Sequence, residues 1–230
     1  MAEDVRSHAE ELEEITECDF WSKVKIGLIL DLVEGKRVLD VGCGAGQLSK
    51  TMLKMGYAVT VIDCDEKAIE IARKKGVLGF VADIDKWEPD HEFDCVVAAD
   101  ILEHIDDDRL ATRKLYSMLK PGGCLIVNVP SYKFLFGQHD IALGHKRRYS
   151  DSELKAKLEE SGFKIEMQRH WNLLALPMTI IITRILKRDY PHQKISRIDL
   201  LSKILEKLLS LESRVNYLFG ISILCKARKI

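Results

Sequence analysis

Apolar positions along the 230-residue chain cluster into short β-branched runs separated by stretches with helical spacing. Runs near 37 to 42, 58 to 62, 78 to 82, 93 to 99 and 124 to 129 read as strands, with helices between them. A further helix is expected over about 19 to 34, ahead of the first strand. Ser150-Asp-Ser-Glu153 is a capping box, opening a helix that reaches Ser161-Gly162, and a sixth strand should follow at about 163 to 169. Strands alternating with helices in this way predict an α/β fold, with helices on both faces of a largely parallel sheet and right-handed connections.

The apolar pattern changes after the sixth strand. Residues 171 to 186 carry no charge before Arg184, yet are too short to cross a bilayer, which takes about 20 apolar residues. A helix at about 197 to 212 would place Leu201, Leu205, Leu208 and Leu209 on one face. The two together make an insertion over about 171 to 212, longer than most connections in a compact domain. A helical pair packed on the sheet or against a second subunit accounts for it, so a homodimer is one expectation.

The candidate chemistry begins at residues 38 to 49, Val-Leu-Asp-Val-Gly-Cys-Gly-Ala-Gly-Gln-Leu-Ser. Glycines at alternate positions let the backbone approach a nucleotide-like ligand at the carboxyl end of a strand. A dinucleotide fingerprint would need a third glycine where Gln47 stands, which disfavours a nicotinamide-dependent dehydrogenase. No Gly-Lys-Ser/Thr closes the turn, so a P-loop is excluded. What remains is Asp-x-Gly-x-Gly-x-Gly, on Asp40, Gly42, Gly44 and Gly46. It resembles motif I of the class I S-adenosylmethionine-dependent methyltransferases.

Four later elements follow in the order that resemblance implies. Asp63 ends the second run and matches the family's ribose-binding acid. Asp83-Ile84 ends the third and looks like the adenine site. Asp100-Ile-Leu-Glu103-His104 follows the fourth run, as motif IV does, and Lys120-Pro-Gly-Gly123 precedes the fifth. The resemblance implies a cofactor set of Asp40, Gly42, Cys43, Gly44, Gly46, Asp63, Cys64, Asp83, Ile84 and Ala99, with Asp40 supporting the methionine end. It also implies a Rossmann-like seven-stranded methyltransferase sheet, mostly parallel, in which Gly220 to Ala227 forms an antiparallel last strand at the edge. The expected organisation is a single domain over 1–230. Its parts are an N-terminal helical segment to 35, a cofactor-binding half over 36–130 and an acceptor-side half over 131–230. The expected product is S-adenosylhomocysteine.

Composition narrows the partners. Lys plus Arg number 35 against 36 Asp plus Glu, a balance without the basic excess of a nucleic-acid binder. The six cysteines show no C-x-x-C spacing and read as small buried hydrophobes, implying neither zinc nor disulfides. The acidic Met-Ala-Glu-Asp-Val-Arg start lacks the apolar core of a secretory signal, and a cytoplasmic enzyme is expected.

Clues to the methyl acceptor lie later, in His139-Asp-Ile-Ala-Leu-Gly-His145-Lys-Arg147-Arg148-Tyr149. Methyl transfer from a sulfonium is an in-line displacement, so alignment and exclusion of water matter most. A base is needed only for a protonated nucleophile. His139 and His145 are the catalytic candidates; His104 is better explained as packing the motif IV segment. Arg147, Arg148 and Tyr149 are candidates for binding the acceptor, the arginines by forking onto a carboxylate or phosphate. No metal is expected. Leu102-Glu103-His104-Ile105 is similar to the quinone-biosynthesis O-methyltransferases, which points to oxygen as the methylated atom, while Asn128-Val-Pro-Ser131 departs from their pattern. The acceptor is expected to be a small or lipid-linked molecule. Lys187, Arg188, Lys194 and Arg197 beside the uncharged run make peripheral membrane contact a second expectation for the insertion. A noncatalytic cofactor-binding module is the alternative from another functional class.

Overall fold

The computed structural model describes residues 20–186, 207, 208, 212 and 219–230. The chain enters through α1 (Phe20–Leu30), then β1 (Arg37–Val41), α2 (Gln47–Lys54), β2 (Ala58–Asp63), α3 (Glu66–Lys74), β3 (Leu78–Val81) and β4 (Phe93–Ala99). A 3₁₀ turn at Leu102–His104 leads into α4 (Asp108–Ser117) and β5 (Leu119–Pro130). Then come α5 (Gln138–Ala142), α6 (Asp151–Glu160), β6 (Phe163–Trp171), α7 (Leu176–Ile180, continued as a π-helical turn over Ile181–Leu186) and β7 (Ser222–Lys229). Of the expected capping box at the start of α6, the N-cap half is present: Ser150 Oγ accepts the Glu153 N–H. The expected helix over about 197 to 212 falls almost entirely outside the described residues, of which Leu208 is half exposed.

The seven strands form one sheet in the order β3-β2-β1-β4-β5-β7-β6. Strands β1 to β5 are mutually parallel, and β7 runs antiparallel to both its neighbours. The antiparallel last strand is as expected, but its position is not. β7 lies inside the sheet, paired with β5 from Cys124↔Arg228 to Pro130↔Ser222 and with β6 from Phe163↔Lys229 to Trp171↔Ser222. The physical reason is apolarity on both faces: Ile223, Leu224, Cys225 and Ala227 are all essentially inaccessible to water. The edge instead falls to β6, whose Lys164, Glu166, Gln168 and Arg169 tolerate one open side.

Alternate residues of the central strands feed two cores. Leu39, Val96 and Leu125 face Leu115 of α4 and Leu154 and Leu158 of α6. Val38, Cys95, Val97 and Ile126 face Val24 and Leu28 of α1, Met52 of α2 and Ile69 of α3. Each such side chain contributes about 1.5 to 3 kcal/mol by leaving water, which is why the sheet carries helices on both faces. The strand order reverses between β1 and β4, opening a crevice at the carboxyl ends of the parallel strands.

Candidate active site

Beyond β1 the chain turns through Gly42, Gly44 and Gly46, whose φ angles are 69°, 49° and 67°. A Cβ on Gly42 would also lie 2.7 Å from Ile101 Cδ1. These three N–H groups are spent within the protein. Gly42 donates to Ile62 O at 2.8 Å, Gly44 to Asp63 Oδ2 at 2.9 Å and Gly46 to Cys43 O at 2.9 Å. The turn therefore offers a ligand close approach to its Cβ-free surface rather than those three donors.

Asp63 stands at the tip of β2, as the ribose reading requires. Besides the Gly44 bond, its Oδ1 accepts the Asp65 N–H at 3.0 Å. Each oxygen has two lone pairs, so these contacts orient the carboxylate without exhausting it. Asp40 is buried beneath the turn and accepts a hydrogen bond from Ser49 Oγ. Burial pushes its carboxyl up to about 6, with the Ser49 bond opposing. Burial likewise raises the Cys43 thiol well above its ordinary value, leaving it uncharged.

A cavity of about 400 Å³ runs from this turn toward the ends of β4 and β5. Asp40, Gly42, Cys43, Gly44 and Ala99 of the expected cofactor set line it; Gly46, Asp63, Cys64, Asp83 and Ile84 lie outside its lining. Asp83 is exposed beyond β3 and Ile84 is buried in the core beside it. The donor set suits a nucleoside with an amino-acid arm: a glycine surface at one end, a strand-tip carboxylate beside it, and Gln47 Oε1 buried without a hydrogen-bond partner among the described residues.

The far end of the cavity carries Glu103, His104 and His145. His145 packs its ring edge-on against His104, with centroids 4.8 Å apart. His145 Nδ1 lies 2.9 Å from Asp140 Oδ1, and Arg148 Nε donates to the same oxygen at 2.8 Å. Burial alone would raise the Asp140 carboxyl, but the His145 bond and the Arg148 charge outweigh it and hold it below the usual carboxylate range. An ionised carboxylate only accepts, so Nδ1 carries the proton and Nε2 is the basic nitrogen. Glu103 is inaccessible to water, and neither of its carboxylate oxygens has a hydrogen-bond partner among the described residues. Burial, reinforced by nearby Asp100, raises its carboxyl well above the ordinary value. Glu103, His104 and His145 each present a ligating atom within 4.8 Å of the others, a set that could hold a cation. The spacing of these residues in the sequence does not reveal that convergence.

The loop from 139 to 149 thus contributes His145, and its other candidates are placed differently. His139 sits in α5 away from the cavity lining. Arg147 pairs with Asp108 and donates to Asp106 O; Arg148 is buried on Asp140 and Ser131 O. The Tyr149 hydroxyl, fully buried, donates to Asp108 Oδ2 at 2.8 Å. These three were expected to meet the acceptor. All three are engaged within the protein, by Asp108, Asp140 and backbone carbonyls.

A chain of bonds missing from the sequence reading closes the site from the other side. Trp171 Nε1 donates to Asn128 Oδ1 at 2.8 Å, Asn128 Nδ2 to Asp100 Oδ1 at 2.6 Å, and Lys25 Nζ to Asp100 Oδ2 at 2.5 Å. Asp100 itself has a left-handed backbone, φ 55°. Lys25 and Asp100 line both the main cavity and a side cavity of about 150 Å³ that reaches Trp21 and Trp171. Partners 75 residues apart leave no local signal, although Asp100 is legible as the first residue of the motif IV run.

Comparison with known proteins places this arrangement. The model of a methyltransferase domain family matches residues 19–168. The ubiquinone biosynthesis O-methyltransferase of Neisseria meningitidis serogroup C is 39% identical over 102 residues, 40% of this chain and 42% of that one. The mitochondrial counterpart from Schizosaccharomyces pombe is 33% identical over 110 residues, 44% and 40% of the two chains. The chain therefore spans about two fifths of the length of these curated relatives. In fold it resembles a SAM-dependent methyltransferase from Archaeoglobus fulgidus, with TM-score 0.67, 18% identity, and 97% and 100% of the two chains covered. It also resembles the Bradyrhizobium japonicum N-methyltransferase NodS, solved with S-adenosylhomocysteine, with TM-score 0.56, 17% identity, and 99% and 93% covered. Motif order, sheet topology and a family match over more than half its length agree: the chain belongs to the methyltransferase domain family.

Proposed function

We propose that the chain moves the methyl group of S-adenosylmethionine to a hydroxyl oxygen of a small-molecule acceptor. The observation that carries this reading is His145, which lines the cavity that begins at the glycine turn and is held from behind by Asp140. Gly42, Gly44 and Asp40 hold the methionine side of the donor, and Asp63, Asp83 and Ile84 the adenosine side. When bound, the donor supplies a methyl carbon on a positively charged sulfur, and transfer leaves a neutral thioether. The protein's task is to present the acceptor oxygen in line and receive its proton. His145 Nε2 takes that proton as the C–O bond forms, and the Asp140 carboxylate stabilises the resulting imidazolium. Buried Glu103 backs the cavity beside His145. The relatives named as O-methyltransferases support oxygen as the target.

The acceptor reading extends to lipid-linked molecules, which is supported by the apolar surface of the α7 segment. Met178, Ile181 and Ile185 are 58%, 42% and 70% exposed there, next to exposed Leu174. Such a face suits contact with a membrane surface holding the acceptor. Among the described residues, no helix is long and apolar enough to cross a membrane.

The test is release of S-adenosylhomocysteine with a panel of hydroxylated acceptors. His145→Ala should lower kcat about 100-fold or more with little change in donor affinity, the range of a general base. Donor binding without turnover across the panel would favour a noncatalytic module. Activity lost on chelation and restored by a divalent cation would reassign the Glu103, His104 and His145 cluster to a metal.

A further inference from the structure

The sheet brings three strand ends together beside the main cavity. Trp171 ends β6 opposite Ser222, which opens β7 and pairs on its other side with Pro130 of β5, two residues beyond Asn128. Trp21 of α1 joins Asn128, Trp171 and Ser222 in lining the side cavity of about 150 Å³. A cavity of that size seats a single benzene ring. Asp100 lines both this cavity and the main one, so an occupant lies next to the donor site without entering it.

The chemistry of the side cavity suits a flat, uncharged group. Two indoles supply planar apolar surface. Lys25 and Asp100 are paired with each other, so neither sign of charge is favoured. Asn128 is 1% exposed, and its two partners fix the direction of its amide. The Trp171 indole only donates and the Asp100 carboxylate only accepts, which turns Oδ1 to the first and Nδ2 to the second. Nδ2 carries two N–H groups, and among the described residues one is engaged. The other is left as a buried donor on a residue that lines the cavity.

We propose that the side cavity seats an aromatic ring of the methyl acceptor, with Trp21 and Trp171 against the ring and Asn128 donating to a neutral oxygen on it; this rests on the methyltransferase reading. The hydroxyl to be methylated extends from the seated ring past Asp100 into the main cavity, which His145 also lines. Asn128 opens the stretch Asn128-Val-Pro-Ser131 that departs from the quinone-biosynthesis pattern, so the seat belongs to this chain's own choice of acceptor. Trp21, Asn128 and Trp171 select the ring, whereas His145 acts on its substituent.

Phenol, cyclohexanol and benzoate probe the seat directly: a neutral ring bearing oxygen, the same oxygen without a planar ring, and the ring with a charge. In protein saturated with S-adenosylhomocysteine, nitrogen-edited NMR should show phenol shifting the Trp171 indole and Asn128 amide signals saturably. Cyclohexanol and benzoate should bind about fivefold more weakly or worse, through loss of the aromatic contact and the cost of burying a charge. Trp21→Leu should weaken phenol about fivefold, and Trp21→Phe should hold it within about twofold of wild type. Ser222→Leu, which fills the cavity, should remove the saturable shifts. Unchanged S-adenosylhomocysteine affinity shows that each variant is folded, and the comparison of the three probes on wild type needs no variant. Phenol that leaves both signals unmoved, binds no better than cyclohexanol, or binds as well in Trp21→Leu and Ser222→Leu overturns the seat. Wild-type protein that does not bind S-adenosylhomocysteine sinks the donor reading instead, and the phenol titration still judges the seat.

Discussion

A carboxyl group held out of water ionises only against the cost of its own desolvation, and Asp40 is in that position beneath the glycine turn. Its folded value of about 6 lies above the ordinary 3.8, so between those pH values the folded state binds more protons than the unfolded state. The stability it contributes is therefore present below about pH 4 and lost as pH rises through about 6, on the order of 3 kcal/mol. Asp40→Asn keeps an acceptor for Ser49 but removes the titration. Relative to wild type, the variant should gain stability in urea unfolding as pH is raised from 4.5 to 7.5. A constant difference across that range would show that Asp40 does not titrate in it. The position of Asp40 was legible two residues before the first glycine; its burial was not, because that depends on Ser49 and the helix that carries it. Glu103 and Lys25 were harder still to read. One is set apart by the lack, among the described residues, of hydrogen-bond partners for its carboxylate, the other by a partner 75 residues away, and neither is a property of local sequence.

Elements were easier to foresee than the directions of their side chains. The loop from 139 to 149 was identifiable from its run of histidines and arginines, and it does deliver His145 to the cavity. Arg147, Arg148 and Tyr149 look equally available in sequence, but Asp108 and Asp140 bind them internally. The apolar run after β6 poses the converse case, since part of it stays on the surface. Its helical part leaves Met178, Ile181 and Ile185 open. The lipid-linked reading expects the protein to sediment with anionic liposomes, and Met178→Glu with Ile185→Glu to abolish that while leaving donor affinity unchanged. Wild-type protein remaining in the supernatant, with or without anionic lipid, would remove the membrane from the account.

At the scale of the whole molecule, the last strand ties the two halves together. β7 pairs with β5, whose other neighbour β4 ends at the cavity, and with β6, which carries Trp171. The run from Gly220 to Ala227 announced a strand, and the alternation of elements announced the parallel half of the sheet. Placement inside rather than at the edge follows from pairing across nearly a hundred residues of sequence, which apolar periodicity alone does not encode. It has an energetic consequence. Leu224 is 1% exposed and belongs to the core shared with α1, β1 and β4. Leu224→Ala should therefore cost about 2 to 5 kcal/mol. In urea the loss should appear alike in the fluorescence of Trp171 beside β7, read with Trp21 and Trp87 replaced by Phe, and in far-ultraviolet circular dichroism, reporting the entire sheet. A strand hanging on the edge would detach first and separate the two signals. Coincident transitions at lower urea are the outcome that an interior β7 requires, because its loss removes partners from both neighbouring strands at once.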